Sequence, residues 1–259
     1  MTQLLDALAG NELAGFILVL ARVAPLFVLA PLFSSALIPV HVRGIVAVGI
    51  SIGLTPIAVH GQHIPSAPLA LAALVLEGGL VGLAFAFAIS LLLAGLESAG
   101  SLIDLGSGFS YGTLINPMNG ESSAVMSRFY SLFGTLVFLV IGGDALTLKG
   151  LGRTFQLVPL TSGPRIGSLV AGAEQIFATV FTAALEIAAP VLIALLITDV
   201  AFGVVSRVVP QMNVFAVGFP TKVAVALLVA GASLPFVSNY IYGQAFASVE
   251  SALGALHVA

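Results

Sequence analysis

The chain contains no cysteine and no tryptophan, and only 7% of its 259 residues are charged. The missing cysteine excludes disulfides, a thiol nucleophile and an iron–sulfur site. Without tryptophan, any aromatic belt at a membrane interface falls to four tyrosines and seventeen phenylalanines. Globular domains carry about 25% charged residues, so this chain has too few to cover a water-facing surface. A net charge of −3 gives no basis for a nucleic-acid partner or a polybasic lipid-binding stretch. Also absent are G-x-x-x-x-G-K-[ST] and G-x-G-x-x-G, so neither P-loop nucleotide hydrolysis nor a dinucleotide site is expected.

What is present is apolar: 59% hydrophobic residues and a mean hydropathy of +1.17. That composition predicts an all-α integral membrane protein, folded as one membrane domain over 1–259 with lipid as its solvent. The opening residues, "MTQLLDALAGNELAGF", have no positive n-region and do not read as a cleaved signal peptide.

Polar punctuation divides the chain into six apolar runs: Leu13–Val40, Gly44–Val59, Leu69–Ile103, Phe129–Gly142, Ile166–Val209 and about Val223–Phe246. A plain six-span serpentine fits them poorly. A crossing needs about 20 helical residues, but the second run has 16 and the fourth 14, whereas the third and fifth have 35 and 44. The polar stretch 143–165 holds Lys149, Arg153 and Arg165 against Asp144, which assigns it to the cytoplasm. Single crossings that put His41 and Arg43 inside would place it outside. Helical hairpins stacked within an assembly fit these lengths better.

Several charges interrupt the apolar runs. Glu77 and Glu97 are 20 residues apart, about 30 Å along a helix, so they suit opposite membrane faces. Arg22, Glu174, Glu186 and Asp199 are expected to be buried against protein or water, since each costs about 2.5–3.5 kcal/mol at a bilayer centre. The spacings Gly49/Gly53 and Gly78/Gly82 suit the close helix packing that such burial needs. One function consistent with these charges is a secondary ion or solute transporter. Arg22, Glu186 and Asp199 would form its relay, and Pro190 would break a helix nearby. Mutual pairing of the charges, or pairing with neighbouring subunits, is the structural alternative.

Two motifs suggest chemistry and lack its context. "GFSYG" around Ser110 matches the G-x-S-x-G nucleophile elbow, but helical apolar sequence precedes it where a strand is required. The only histidine beyond it is His257, two residues from the end. His60 and His63 have the spacing of two ligands on one turn. They sit in a Gly/Pro connection without the further ligands a metal needs. No catalytic residue, metal or cofactor is therefore expected, and the chain does not read as an enzyme.

The most informative string is "SRVVPQMNVFAVGFPTK", Ser206–Lys222. Pro210 stops a helix, and Gln211 and Asn213 can satisfy turn amides. Pro220 suits a first helical position and Lys222 can reach toward water. These roles describe a helical hairpin tip. As a string it closely resembles the signature of the FliR-like family of flagellar biosynthetic proteins and their virulence type III secretion counterparts. "ARVAPLFVLAPLFSSALIPVHVRG", Ala21–Gly44, is similar to that family's first helix and turn, and the order of the runs agrees across nearly the whole chain.

The resemblance implies a subunit of the flagellar export gate in the bacterial inner membrane, at the basal body. Its implied partners are FliP, FliQ, FlhB and other export components, and its cargo unfolded secreted proteins. It further implies a FliP-like part over about 1–165 and a FliQ-like hairpin over about 166–259. Arg207, Pro210, Gln211, Met212, Asn213, Gly218, Pro220 and Lys222 would shape the hairpin tip for assembly. The segment between the third and fourth runs would plug the pore. Here that segment is 106–122, including "GSGFSYGTLINPMNG". Its seventeen residues exceed the 2–8 usual between bundle helices. Gly106 and Gly108 would supply tight turns. Phe109, Tyr111, Leu114, Ile115 and Met118 would supply the apolar obstruction.

Overall fold

The computed structural model describes residues 2–30, 32–34, 38–65, 67–110, 124–211 and 213–257. Among them are seven helices and no strand: α1 (Thr2–Leu29), α2 (Val40–Val59), α3 (Pro68–Ser107), α4 (Val125–Val140), α5 (Gly143–Leu157), α6 (Ile166–Val208) and α7 (Val214–His257). Five are long and apolar enough to cross a membrane, or six spans if the bent pair α4–α5 counts as one. The protein is an all-α integral membrane protein.

The helix boundaries correct the run lengths. The second run looked short because His41 and Arg43 break its apolar pattern. The helix runs through both, starting after Pro39, and its 20 residues span about 30 Å. The polar stretch after the fourth run is mostly helix α5, begun after Gly142 in the left-handed region at φ 74°. Its Gly, Thr, Lys and Arg hide a helical period behind low hydropathy. α3, α6 and α7, of 40, 43 and 44 residues, each reach about 60 Å or more, twice the hydrocarbon thickness.

The chain divides into two compact units. The first comprises 1–91, 139–177 and 244–259. Here Val81 of α3, Val158 at the end of α5 and Leu256 of α7 form a buried cluster, flanked by Leu157 and Leu169. α1 and α3 approach backbone to backbone: a Cβ at Gly82 would collide with the Arg22 carbonyl, and one at Gly78 would touch that of Leu18. Gly150 leaves room for the Phe85 ring and Val249. Gly49 and Gly53 behave otherwise than their spacing suggested, because among the described residues nothing beyond their own helix backbone lies within 4 Å of where their Cβ atoms would be.

The second unit comprises 92–138 and 178–243. Leu96, Ile103, Tyr130, Phe138, Ile187 and Val191 are buried in it. Gly100 is its tightest point, since a Cβ there would collide with the backbone of Met126 and Ser127. This grouping in space is separate from the expected sequence division near residue 165, which concerns likeness to two other proteins.

Candidate functional site

The base of the segment between α3 and α4 is built around one residue that the sequence reading passed over. Asp104 is 2% exposed. Its Oδ1 accepts a hydrogen bond from the Met126 amide and its Oδ2 one from the Ser127 amide, both at 2.9 Å. These are the second and third amides of α4, among the four donors that a helix start leaves unpaired. α4 has no acidic residue in its first turn, and Ala124 before it offers no side-chain acceptor. Asp104 therefore acts as the cap from a different helix, with its negative charge against the positive end of the α4 dipole.

The same residue also ends α3. Its main-chain carbonyl accepts from the amides of Gly108 at 3.2 Å and Ser110 at 3.4 Å. Gly108 turns the chain at φ 91°, a conformation that a Cβ would strain. Ser127 tightens the junction, donating to the Glu97 carbonyl at 3.2 Å while Ser101 donates to the Ser127 hydroxyl at 3.2 Å. Leaving α3 and entering α4 are thus fixed by one aspartate.

Of the residues expected in the plug, Gly108 makes a turn and Phe109 is half-buried beyond it. Gly106 does not turn the chain. It lies in the last turn of α3, where a Cβ would sit 3.2 Å from both Leu192 and Leu195 of α6, so its role is close packing. Tyr111, Leu114, Ile115 and Met118 lie outside the described residues, as does Met212 of the hairpin tip. Ser110 follows a helix, so the strand–turn–helix frame of a nucleophile elbow is missing around it.

At the hairpin tip, α6 ends at Val208 and Pro210 follows. Asn213 caps α7, its Oδ1 accepting from the Ala216 amide at 3.1 Å. That cap overturns the expectation for Pro220. The helix starts at Val214, so Pro220 lies inside it rather than at its first position. Gly218 is buried and faces the Phe202 ring. Lys222 pairs with Asp199, at 2.9 Å to Oδ1. Arg207, Pro210 and Gln211 are exposed.

Arg22 alone of the four expected buried charges is buried, at 1% exposure. Its Nη1 donates to the carbonyls of Val158 at 2.7 Å and Thr154 at 3.2 Å, and its guanidinium lies 4.8 Å from the centre of the Phe155 ring. α5 has no basic residue in its last turn. Arg22 supplies the missing cation at that helix end. Glu174, Glu186 and Asp199 correct the expectation, since all three are exposed on α6. An apolar run does not reveal which of its faces a neighbour covers.

The model of the family described as Bacterial export proteins, family 1, matches residues 13–247. The chain is similar to the flagellar biosynthetic protein FliR of Bacillus subtilis (strain 168), 31% identical over 82% of this chain and 83% of the relative. FliR of Pectobacterium carotovorum subsp. carotovorum is 25% identical over 91% of each chain. The surface presentation of antigens protein SpaR of Salmonella typhimurium is 29% identical over 81% of this chain and 78% of its own length.

Proposed function

Because the chain belongs to the bacterial export proteins, family 1, and is a membrane-embedded component of the type III export apparatus, we propose that it is a non-enzymatic, pore-forming subunit of the flagellar export gate. In this reading it assembles with FliP and FliQ in the bacterial inner membrane, meets FlhB and other export components there, and passes unfolded flagellar substrates. Residues 1–165 take a FliP-like place and 166–259 form a FliQ-like hairpin. The segment 106–122 acts as the plug, entering and leaving at the Asp104 junction.

The observation that carries this reading is the exposure of Glu174 and Glu186 on the apolar helix α6. Neither has an ion-pair partner among the described residues. Facing lipid, each would cost about 2.5–3.5 kcal/mol near the bilayer centre. Neighbouring subunits or a water-filled lumen remove that cost. A transporter relay has less support, because main-chain carbonyls already occupy Arg22 and Lys222 occupies Asp199.

Co-expression with FliP and FliQ from the same genome tests the assembly. One stable complex containing all three is expected; a chain that purifies alone whichever partners are present would refute it. The plug is tested separately by replacing residues 111–118 with a short Gly-Ser linker, which spares Asp104, Gly108 and Ser110. Ion leakage through the assembled complex should rise. Unchanged conductance with intact assembly would remove the plug while leaving the subunit role.

A further inference from the structure

Lys149 and Arg153 are four residues apart on α5, which puts them on one face of the helix. Both are exposed, and neither has an ion-pair partner among the described residues. They border a cavity of about 490 Å³ whose other wall is the end of α2, with Leu54 and Ile57 as apolar lining and His60 at its rim. No carboxylate lines it among the described residues. The spacing of the walls is fixed by Gln62, whose amide donates to the Ala58 carbonyl at 3.0 Å and whose oxygen accepts from the Leu160 amide at 2.9 Å. The cleft is therefore built before anything enters it.

α2 is apolar enough to cross a membrane, and His60 is the first residue beyond it. If α2 crosses the membrane along its whole length, a headgroup layer at its end would meet the cations, and the apolar wall continues onto a helix flank where Ile52 and Ile57 are exposed. We infer that this cleft between α2 and α5 binds an anionic membrane lipid, with Lys149 and Arg153 on the headgroup phosphate and an acyl chain along Leu54 and Ile57. Two cations without a counter-ion select negative charge, and the adjoining apolar wall selects a lipid over a free phosphate. The inference is independent of the pore reading.

Native mass spectrometry of the full chain in detergent, with phosphatidylglycerol or phosphatidylcholine added, tests it. Phosphatidylglycerol should be retained selectively, and Lys149→Gln/Arg153→Gln should lower retention by about thirtyfold, at about 1 kcal/mol for each cation at a membrane surface. Arg165→Gln, an exposed cation outside the cleft, should leave retention unchanged. Equal retention of the two lipids, or an equal loss with Arg165→Gln, overturns the proposal. Full displacement by millimolar glycerol 3-phosphate also overturns it, in favour of a small-anion site. Should the double variant fail to fold, the wild-type chain still decides: phosphatidylglycerol retention must fall as salt rises, and salt-independent retention refutes the site.

Discussion

Among the described residues each of the two units holds one buried charge, and the two are satisfied in opposite ways. In one unit a cation, Arg22, meets the carbonyl end of α5; in the other an anion, Asp104, meets the amide end of α4. Each sign matches the end of the helix dipole it faces, and neither helix carries that charge in its own terminal turn. The satisfaction is unequal. Both Asp104 oxygens accept amides, whereas the Arg22 Nε is buried without a partner among the described residues. A buried charge in this protein is thus part of how a helix ends, while the exposed Asp199–Lys222 pair joins two side chains that water or lipid can reach.

Removing each in turn should rank these arrangements. Asp104→Ala strands two buried amides and should cost about 3 kcal/mol, at ~1–3 kcal/mol for each unpaired buried group. Thermal unfolding of the purified chain in detergent should shift down by roughly 2–4 °C per kcal/mol. Asp104→Asn keeps one acceptor oxygen and should restore about half of that. Arg22→Met strands chiefly the Val158 carbonyl, since the Thr154 carbonyl also accepts the Val158 amide. Its loss should be smaller, about 2 kcal/mol. If Arg22→Met proves the more damaging, packing against Phe155 outweighs the helix-end contacts, and the comparison must be redrawn.

Lys222→Ala removes an exposed pair and should cost under about 1 kcal/mol in the same assay. A loss as large as that of Asp104→Ala would show that the pair acts as a buried one within the chain's own fold, and the contrast with Asp104 would fall. Arg207→Ala, at the same tip, should leave the unfolding midpoint of the lone chain unchanged within ~0.5 kcal/mol. In cells it should reduce recovery of the complex with FliP and FliQ, and full recovery would deny the tip an assembly role. The smallest effect is expected at Ser110→Ala, which should leave export at wild-type rate. A specific loss of export would reopen the nucleophile reading of "GFSYG".

The six apolar runs revealed six of the seven helices among the described residues, because lipid-compatible stretches announce themselves by composition. α5 escaped that reading, since its helical residues include Lys149, Arg153 and several glycines and threonines. Asp104 escaped for a different reason. Its partners are 22 and 23 residues away, across a segment that no local pattern bridges. The sequence offers only a lone aspartate at the edge of an apolar run, which looks the same as the end of that run. The burial of Arg22 followed from desolvation cost alone, whereas its acceptors on α5 did not. For Glu174, Glu186 and Asp199 the cost argument asks for protein or water around each, and their exposure shows that this chain's own described residues do not supply the protein.

The Asp104 junction has a consequence for how the protein can change over generations. Since one residue ends α3 and starts α4, the intervening segment is attached at two fixed points, and the scaffold does not depend on its length. Doubling the length of a chain segment between two such points costs only about 0.6 kcal/mol in closure entropy. A change in the number of residues between 110 and 124 therefore leaves the Asp104 contacts to α4 available. Selection on that stretch is then separate from the demands of joining α3 to α4.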